Sequence, residues 1–553
     1  MSDADLLITS AQIVDGTGAA PVTGDVAVSD GKILAVGSFS GDSKETIDGS
    51  GLTLAPGFID IHTHFDPQLC WDGLATPSLE HGVTTVVIGN CSLSLAPVTP
   101  AGSDKLVSMF QVIEDIKKPT FDAAVPFSWE SFPEYLNHIE PGLGLNVAAM
   151  IGHSALRFYV MGAESQQRTA TDEEIARMCE LVEEAMSAGA AGISSSYVDI
   201  DENMNPVPSR YADLKEKVAL ARAMRKSGRG VWQVVPYFPD MTEYLKNIRE
   251  LGEISLASGA LCSTQPVLSS PDAPLAEQVV GALEAERDRG AKVFGQVMPR
   301  CFDMNMRLSE TSMLLYALPA WKAIMDLPKP ERRTRFEEQR ELLVDQMKQT
   351  AGMSSALPFL IVGDVKSEQN QHYRGKTLAE IAQTEGKEIG EVILDISLAD
   401  DLDAEFRLQN VLNADKASVT QLLDHPLLHF GASDAGAHIT QFCGTGDTTH
   451  LLEHYVRETQ KLPLERAIYR MTGEVAADWG LNDRGTIEEG KAADIVLFDI
   501  NRLCCRAEEF VDDFPGEARR YVRGAEGYAA VIVNGDIVLR NGDYTEARPG
   551  RIV

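Results

Sequence analysis

The fold is decided by the stretch Pro56-Gly57-Phe58-Ile59-Asp60-Ile61-His62-Thr63-His64, a short apolar segment that ends in two histidines. In an extended strand, side chains two residues apart point to the same face, so His62 and His64 can bind one divalent ion. The alternative is two ordinary histidines near a turn, but polar rings at the end of a buried strand need partners. We therefore predict a metal site at the end of this strand.

After this stretch, short apolar segments alternate with helical stretches, which is typical of βα units in a parallel sheet. The candidate strands are residues 57–61, 84–88, 146–151, 191–195, 230–235, 261–265, 293–297 and 428–432. Eight such strands predict an α/β fold, namely a closed (β/α)8 TIM-like barrel, whose chemistry is located at the carboxyl ends of the strands. The two histidines follow the first candidate strand, at that end of the barrel.

The two ends of the chain have a different pattern, in which short apolar strands are broken by glycine and aspartate turns. This pattern covers residues 4–56 and returns in residues 493–498 and 529–538. Each end alone is too small to bury a set of strands. We therefore predict that residues 1–56 and 486–553 pair into one small antiparallel β-sandwich domain, and that residues 57–485 form the barrel domain.

One segment, at about residues 300–425, is too long for an ordinary loop between a barrel strand and its helix. It contains a highly charged helical stretch at residues 329–340 and one or two further predicted helices at residues 377–398. This helical insertion either caps the mouth of the barrel or buttresses its outside, and the sequence leaves both interpretations open.

Composition restricts the class of partner. The chain has 553 residues and a formal net charge of −33, from 82 acidic against 49 basic residues, so its field repels polyanions. We predict no nucleic-acid partner and no membrane partner, because no run approaches the length of a membrane span. The eight cysteines show no CxxC spacing and the start of the chain has no secretory signal, which favours a cytoplasmic protein with reduced thiols. The composition is compatible with a homo-oligomer.

Five motifs carry a resemblance to a known family. The segment from Gly57 to His64 resembles the first barrel strand of the amidohydrolase superfamily. Further motifs, in chain order, resemble the N-acyl-D-amino-acid deacylase (D-aminoacylase) branch of it: Asn90-Cys91, Gly152-His153-Ser154-Ala155-Leu156-Arg157, Ser433-Asp434-Ala435-Gly436-Ala437-His438, and Asp483-Arg484-Gly485 with the closing Arg548-Pro549-Gly550-Arg551. Together these motifs extend along nearly the whole chain.

Two further residues are candidate metal ligands. Cys91 follows a strand rich in valine and isoleucine, so its sulfur emerges beside His62 and His64, where a thiolate is a strong zinc ligand. The alternative is an inert buried cysteine. Asp434 follows the last candidate strand, and the resemblance implies that it contacts the metal and takes a proton from the attacking water. A carboxylate beside a dication stays ionised at neutral pH, as a general base must, and the alternative is a helix N-cap.

The resemblance also implies roles around the barrel mouth. His153 is a predicted catalytic or supporting residue, and Arg157 is a predicted contact for a substrate carboxylate. For both, a buried structural side chain is the alternative. Tyr197 matches a catalytic position near the scissile carbonyl, where a phenol can donate to a developing oxyanion. Besides Arg157, the predicted substrate-binding residues are Ser195, Gln233 and His438.

The chain departs from the family pattern at two strand ends. Deacylases of this branch usually carry a histidine after the fifth strand and another after the sixth, which form a second metal position. In this chain neither strand end contains a histidine. The lysine that helps hold the substrate carboxylate in the family is also missing. The two strand ends read Val231-Trp232-Gln233-Val234-Val235-Pro236 and Cys262-Ser263-Thr264-Gln265-Pro266. We therefore predict one zinc ion, or another single divalent metal, bound by His62, His64 and Asp434 together with Cys91.

The leading hypothesis is a metal-dependent amidohydrolase that cleaves an amide-type C–N bond of a small molecule, an N-acyl amino acid or a related amide. Metal-activated water attacks the carbonyl, and Asp434 acts as general base. A metal-dependent lyase or decarboxylase on the same scaffold is the alternative, since a fold does not determine its chemistry. A catalytically inactive binding protein is disfavoured because His62, His64 and Asp434 are all present.

Overall fold

The computed structural model describes residues 3–270, 273–316, 318–348 and 352–553, and within these residues eight parallel strands form one sheet. All eight predicted strands are confirmed, with small shifts at their ends. In chain order they are β1 (Phe58–Asp60), β2 (Val83–Ile88), β3 (Asn146–Gly152), β4 (Gly192–Ser196), β5 (Val231–Val235), β6 (Leu261–Thr264), β7 (Val293–Val297) and β8 (Leu428–Phe430). Each strand pairs with the next one along the chain.

The chain also pairs beyond the ends of β1 and β8. A parallel bridge joins Thr63 to Ala435. The backbone N–H of His64 donates to the carbonyl of Ala435 at 2.7 Å, and the N–H of Asp434 donates to the carbonyl of His62 at 3.1 Å. These bonds hold the histidine pair of the first strand beside the aspartate that follows the last strand.

Helices separate the parallel strands and share one buried apolar cluster with them. Three of the longer ones begin at polar caps, namely Thr171, Asp213 and Asp240; the side chain of Thr171 accepts from the backbone N–H of Glu174 in a capping box. No helix among the described residues is both long and apolar enough to span a membrane. The helices are Ser103–Ile113, Lys118–Ala124, Phe132–Ile139, His153–Met161, Asp172–Ser187, Leu214–Arg225, Met241–Ser258, Leu275–Asp288, Lys416–Asp424, Asp447–His450, the π-helical Leu451–Glu458, Leu464–Met471 and Gly473–Trp479.

Both ends of the chain contribute strands to a second sheet, called here the terminal sheet. Its strands are Ala4–Ile13, Val22–Ser29, Lys32–Gly37, Ser43–Asp48, Thr53–Pro56, Ile495–Phe498, Tyr528–Val533, Asp536–Arg540 and Asp543–Tyr544. The predicted pairing of the two ends is therefore present, and Ile495 lies at the seam, opposite Pro56 on one side and Ile532 on the other. A second layer that would make this sheet a sandwich stays a prediction.

One feature of the terminal segments differs from the sequence prediction. The sheet is mixed rather than purely antiparallel, because Ala4–Ile13 pairs in parallel with Ser43–Asp48 and with Thr53–Pro56. Residues 529–538 form a hairpin, in which Asn534 and Gly535 adopt left-handed φ angles of 45° and 90°. Asparagine followed by glycine is the residue pair that favours such a tight turn.

A further hairpin, formed by Glu509–Phe514 and Ala518–Val522, leaves the terminal sheet and reaches the loop that follows β8. There the N–H of Tyr521 donates to the carbonyl of Ile439 at 2.7 Å. The sequence analysis did not predict this hairpin.

The insertion between β7 and β8 forms helices at both predicted positions and has its own apolar cluster, which includes Trp321 and Phe336. It also touches the loop after β8, since the N–H groups of Asn305 and Met313 donate to the backbone and side-chain oxygens of Gln441 at 2.7 and 3.0 Å. Its helices are Pro319–Met325, Lys329–Glu338, Arg340–Met347, Leu378–Glu385 and Ile389–Ala399, and its strands are Met304–Met306, Ile361–Val362 and Phe406–Leu408.

The seam of the terminal sheet provides the first test. Replacing the fully buried Ile495 by alanine removes apolar contacts on both sides of the seam and should lower the free energy of unfolding by about 2–5 kcal/mol. The matched control is Val22→Ala at a side chain that is 57% exposed, for which we expect a change within about 0.5 kcal/mol. Urea unfolding followed by circular dichroism measures both. Equal midpoints for the two variants would contradict the shared sheet.

Candidate metal centre

The two histidines of the opening stretch present the same ring nitrogen to one point. Both side chains are buried, and their Nε2 atoms lie 3.2 Å apart. The backbone holds them there, because Thr63 between them donates its N–H and its hydroxyl to the carbonyl of Val87 at the end of β2. The predicted juxtaposition of His62 and His64 is therefore present in the structure.

Cys91 and Asp434 complete the group. The Cys91 sulfur lies 3.7 Å from each histidine Nε2 atom, and Asp434 Oδ1 lies 3.5 Å from His62 Nε2 and 3.1 Å from His64 Nε2. Two imidazole nitrogens, one sulfur and one carboxylate oxygen are donors that suit zinc, and a site that activates water needs an open position in addition to them. Among the described residues, His62, His64 and Cys91 form the one group of three such side chains close enough to share an ion.

The backbone is unusual at both residues that join the histidines. Cys91 has a φ of 51° and Asp434 a φ of 61°, in the left-handed region that residues other than glycine adopt at a cost of about 1–3 kcal/mol. Strained backbone of this kind is concentrated at functional sites, where the surrounding structure enforces it. The two left-handed residues turn their side chains toward the histidines immediately after β2 and β8.

The two acidic donors have opposite pKa shifts. Burial raises the pKa of the Cys91 thiol, whereas a coordinated dication would favour its thiolate. Burial also opposes ionisation of Asp434, but contacts with His62 and His64 outweigh it and hold the pKa of this carboxyl well below its usual range. Asp434 is therefore ionised at neutral pH, and its side chain stays 21% exposed on the open side of the group.

The outer nitrogens of the histidines face two different partners. His64 Nδ1 lies 3.0 Å from Oε1 of the buried Glu114, which follows the helix Ser103–Ile113. His62 Nδ1 lies 2.7 Å from the side-chain nitrogen of Gln233, whose amide also contacts Asn90 and Gln296. The structure thus places Gln233 in the interior against a candidate ligand, with 1% exposure, rather than in an open substrate cleft.

The strand ends that lack histidine carry neutral side chains. Gln233 lies in β5, and Gln265 follows β6 with its amide nitrogen 3.8 Å from the Cys91 sulfur. Thr264 is fully buried between these positions. Amide and hydroxyl groups are poor ligands for a zinc-type dication compared with imidazole, so these positions do not offer a second set of strong donors.

His153, Ser195 and Arg157 lie together in a separate, fully buried network. His153 Nδ1 is 3.0 Å from Ser195 Oγ, and its Nε2 is 2.8 Å from Glu216 Oε1. The guanidinium of Arg157 pairs with the same Glu216 and donates to the carbonyl of Arg168 at 2.9 Å. These contacts favour the structural alternative that the sequence analysis left open for His153 and Arg157.

Tyr197 and His438 differ in where they point. The Tyr197 hydroxyl donates to Glu250 on a neighbouring helix at 3.2 Å, with the Lys217 ammonium 4.4 Å from the ring centre, so its polar tip is directed at an ion pair. His438 Nε2 instead lies 3.6 Å from Asp434 Oδ2, with 20% of its side chain exposed. His438 therefore occupies the open side of the metal group, beside Phe442.

Two residues near the group were missed by the sequence analysis. Glu114 contacts His64, and Asp199, after β4, lies close enough to Glu114 and His64 for their charges to interact. Burial raises the pKa of the Asp199 carboxyl to about 7, and its Oδ2 atom has no hydrogen-bond partner in the part of the chain that the structure describes. Neither residue belongs to a motif of recognisable spacing, so the sequence alone offered no signal for them.

Comparison with known proteins gives the family context. The model of the amidohydrolase family matches residues 45–256 and 370–539. The chain is 30% identical to the D-aminoacylase of Alcaligenes xylosoxydans xylosoxydans, over 99% of this chain and 97% of that protein. It is 29% identical to the N-acyl-D-aspartate deacylase of the same organism, over 100% and 95% of the two chains.

A solved structure of a D-aminoacylase is also similar, with a TM-score of 0.67, 26% identity and coverage of 99% of both chains. That protein is described as having a binuclear metal centre, with activation by one metal and attenuation by the second. The family model covers more than half of the chain, and the similarity to the D-aminoacylase extends over nearly all of it. The chain belongs to the amidohydrolase family.

Proposed function

We propose that this protein is a metal-dependent hydrolase that cleaves the amide-type C–N bond of an N-acyl amino acid or a related small amide. The observation that carries the proposal is the pair of His62 and His64 Nε2 atoms at one end of the parallel sheet, each of which lies 3.7 Å from the Cys91 sulfur and within 3.5 Å of Asp434 Oδ1. The similarity to a D-aminoacylase and to an N-acyl-D-aspartate deacylase over nearly the whole chain supports the substrate class.

A dication held by these donors acidifies water and polarises a carbonyl group, which are the two needs of amide hydrolysis. The proton transfers fall to Asp434. It is ionised and partly exposed, so it can accept a proton from the attacking water and return it to the leaving nitrogen. His438 lies against the second Asp434 oxygen, which supports a role in orienting that carboxylate or the bound substrate.

A single zinc ion is the metal content that the side chains support. The nitrogen and sulfur donors favour zinc, and one ion is chemically sufficient for the reaction. The neutral Gln233, Thr264 and Gln265 occupy the strand ends where a second set of donors would be needed. Activation by one metal is described for the similar D-aminoacylase, which agrees with this proposal.

The strength of support for a role at the site differs among the remaining predicted residues. His438 is the substrate-binding residue with the best support, since it is exposed beside Asp434. The interior contacts of Gln233, Ser195 and His153 favour positioning roles for them. For Tyr197, donation to an oxyanion would require its hydroxyl to leave Glu250.

The architecture that we propose is a closed (β/α)8 barrel. The bridge between Thr63 and Ala435 supports closure of the barrel, because it joins the chain after β1 to the chain after β8. Residues 1–56 with 486–553 and residues 57–485 remain the proposed domains. Because the insertion contacts Gln441 on the loop that follows Asp434, we favour the interpretation of the insertion as a cap over the mouth.

The metal assignment can be tested by removing both histidines. The double variant His62→Ala/His64→Ala should lose its zinc after dialysis and its hydrolysis of a panel of N-acyl amino acids and uncharged amides. Elemental analysis should find one zinc per chain in the unaltered protein and in the control His454→Ala, whose side chain pairs with Glu458 away from the site. Full zinc occupancy in the double variant would refute the assignment.

The base assignment can be tested with Asp434→Asn. We expect kcat to fall by about 100- to 10,000-fold, because the amide cannot accept the proton that the carboxylate takes. The control is Asp424→Asn, at an exposed carboxylate paired with Arg466, which should leave kcat unchanged. Steady-state kinetics at saturating zinc measure both, and a loss of less than tenfold for Asp434→Asn would exclude it as the base.

The buried network makes a different prediction for Arg157. Arg157→Met leaves Glu216 buried without its cationic partner, so it should reduce stability by about 3–5 kcal/mol and leave KM unchanged in the folded fraction. The control is Arg177→Met at a half-exposed guanidinium, with an expected change within about 0.5 kcal/mol. A large rise in KM without loss of stability would restore Arg157 as a contact for a substrate carboxylate.

A further inference from the structure

A buried carboxylate lies directly behind one of the candidate ligands. Glu114 Oε1 is 3.0 Å from His64 Nδ1, and both side chains are 1% exposed. Neither atom has a hydrogen-bond partner among the residues that the structure describes, so the 3.0 Å contact is a close ion-pair contact between two otherwise unpartnered groups. An inference from this pair rests on the proposed metal site, since it concerns how His64 would serve as a ligand there.

The position of the proton on the imidazole ring determines how His64 can bind an ion. A neutral histidine that binds an ion through Nε2 carries its proton on Nδ1, and this buried N–H group needs an acceptor. For His64, the acceptor at hydrogen-bond distance is the Glu114 carboxylate. Such a partner fixes the tautomer and the ring orientation, and it makes the ligating nitrogen more basic.

We propose that Glu114 is a positioning residue of the metal centre, which holds His64 with Nε2 toward the ion and strengthens its binding of zinc. Among the described residues, the group beside His62 Nδ1 is the neutral amide of Gln233, at 2.7 Å. A His62 that binds an ion through Nε2 carries its proton on Nδ1, so this amide would have to present its oxygen there. A negatively charged side chain therefore supports His64 but not His62, so we expect the binding of zinc by His64 to depend on the charge of Glu114.

The backbone around Glu114 is suited to a positioning role. The Glu114 carbonyl accepts from the N–H of His438 at 2.7 Å, so the turn that carries Glu114 is bound to the loop that carries Asp434. The next residue, Asp115, accepts from the N–H of Thr440 at 3.2 Å and from its hydroxyl. One turn thus contacts both a histidine donor and the loop of the aspartate donor.

The same turn is held from the other side by the insertion. The hydroxyl of Thr311 donates to Asp115, and Lys117 pairs with Glu310. Arg519, on the hairpin near the C-terminus, also pairs with Glu310 at 2.7 Å. Glu114 therefore projects from a segment that the loop after β8 and the insertion hold directly, while the hairpin supports the insertion at Glu310, and its carboxylate is kept beside His64.

The experiment compares zinc affinity in the full-length protein, measured by competition with a chromophoric chelator. Glu114→Gln keeps the shape and an amide oxygen but removes the charge, and Glu114→Ala removes the acceptor altogether. We expect the zinc dissociation constant to rise by about tenfold for glutamine and up to about 100-fold for alanine.

The matched control is Glu286→Gln, at another buried carboxylate whose partners are Arg249 and Arg289, far along the chain from the donors. It should lose stability in the zinc-free protein but keep the zinc dissociation constant. Thermal unfolding of the zinc-free forms separates a general loss of stability from a specific loss of zinc affinity. If Glu114→Ala does not fold, the isosteric Glu114→Gln variant still decides the matter.

Different results would overturn the metal site and the role of Glu114. Failure of the unaltered protein to bind one zinc ion per chain would overturn the proposed metal site itself. Stoichiometric zinc binding by the unaltered protein, with affinities within threefold for Glu114→Gln and Glu286→Gln alike, would overturn the role of Glu114 and leave the proposed function standing.

Discussion

The pairing of the chain beyond β1 and β8 is the constraint on which the metal site depends. Two backbone hydrogen bonds join residues 62 and 64 to residues 434 and 435, at opposite ends of the sheet order. They can form only if the intervening strands pair in sequence and curve until the last strand reaches the first. The position of Asp434 beside the two histidines is therefore a consequence of the whole parallel sheet, whereas the pairing of His62 with His64 is local.

A second layer of contacts links this site to the parts of the chain outside the parallel sheet. The turn at Glu114 and Asp115 contacts His64, the loop after β8 and Thr311 of the insertion. The hairpin near the C-terminus reaches the same region through Arg519. Through these contacts an insertion with its own apolar cluster lies against the segment that supports a candidate ligand.

The sequence predicted the parallel strands and the four donors because both depend on local signals. Apolar runs between helical stretches mark the strands, and His62, His64, Cys91 and Asp434 each follow a strand end. The side chains behind the donors could not be predicted, because Glu114 reaches His64 only through a turn that the folded chain determines. Arg157 could bind a substrate only if its side chain were exposed. The sequence does not show this, because the burial of Arg157 against Glu216 arises only when the chain folds. The hairpin at Asn534 and Gly535 has a local signal, because a turn-forming pair interrupts an apolar run there.

The central claim is that two histidines, one cysteine and one aspartate bind a single zinc ion. X-ray absorption spectroscopy at the zinc edge of the full-length protein, loaded with one equivalent of zinc, tests it most directly. The account predicts nitrogen or oxygen neighbours at about 2.0–2.2 Å, one of them a water, together with one sulfur at about 2.3 Å. A zinc shell without sulfur, or one made of oxygen neighbours alone, would contradict it.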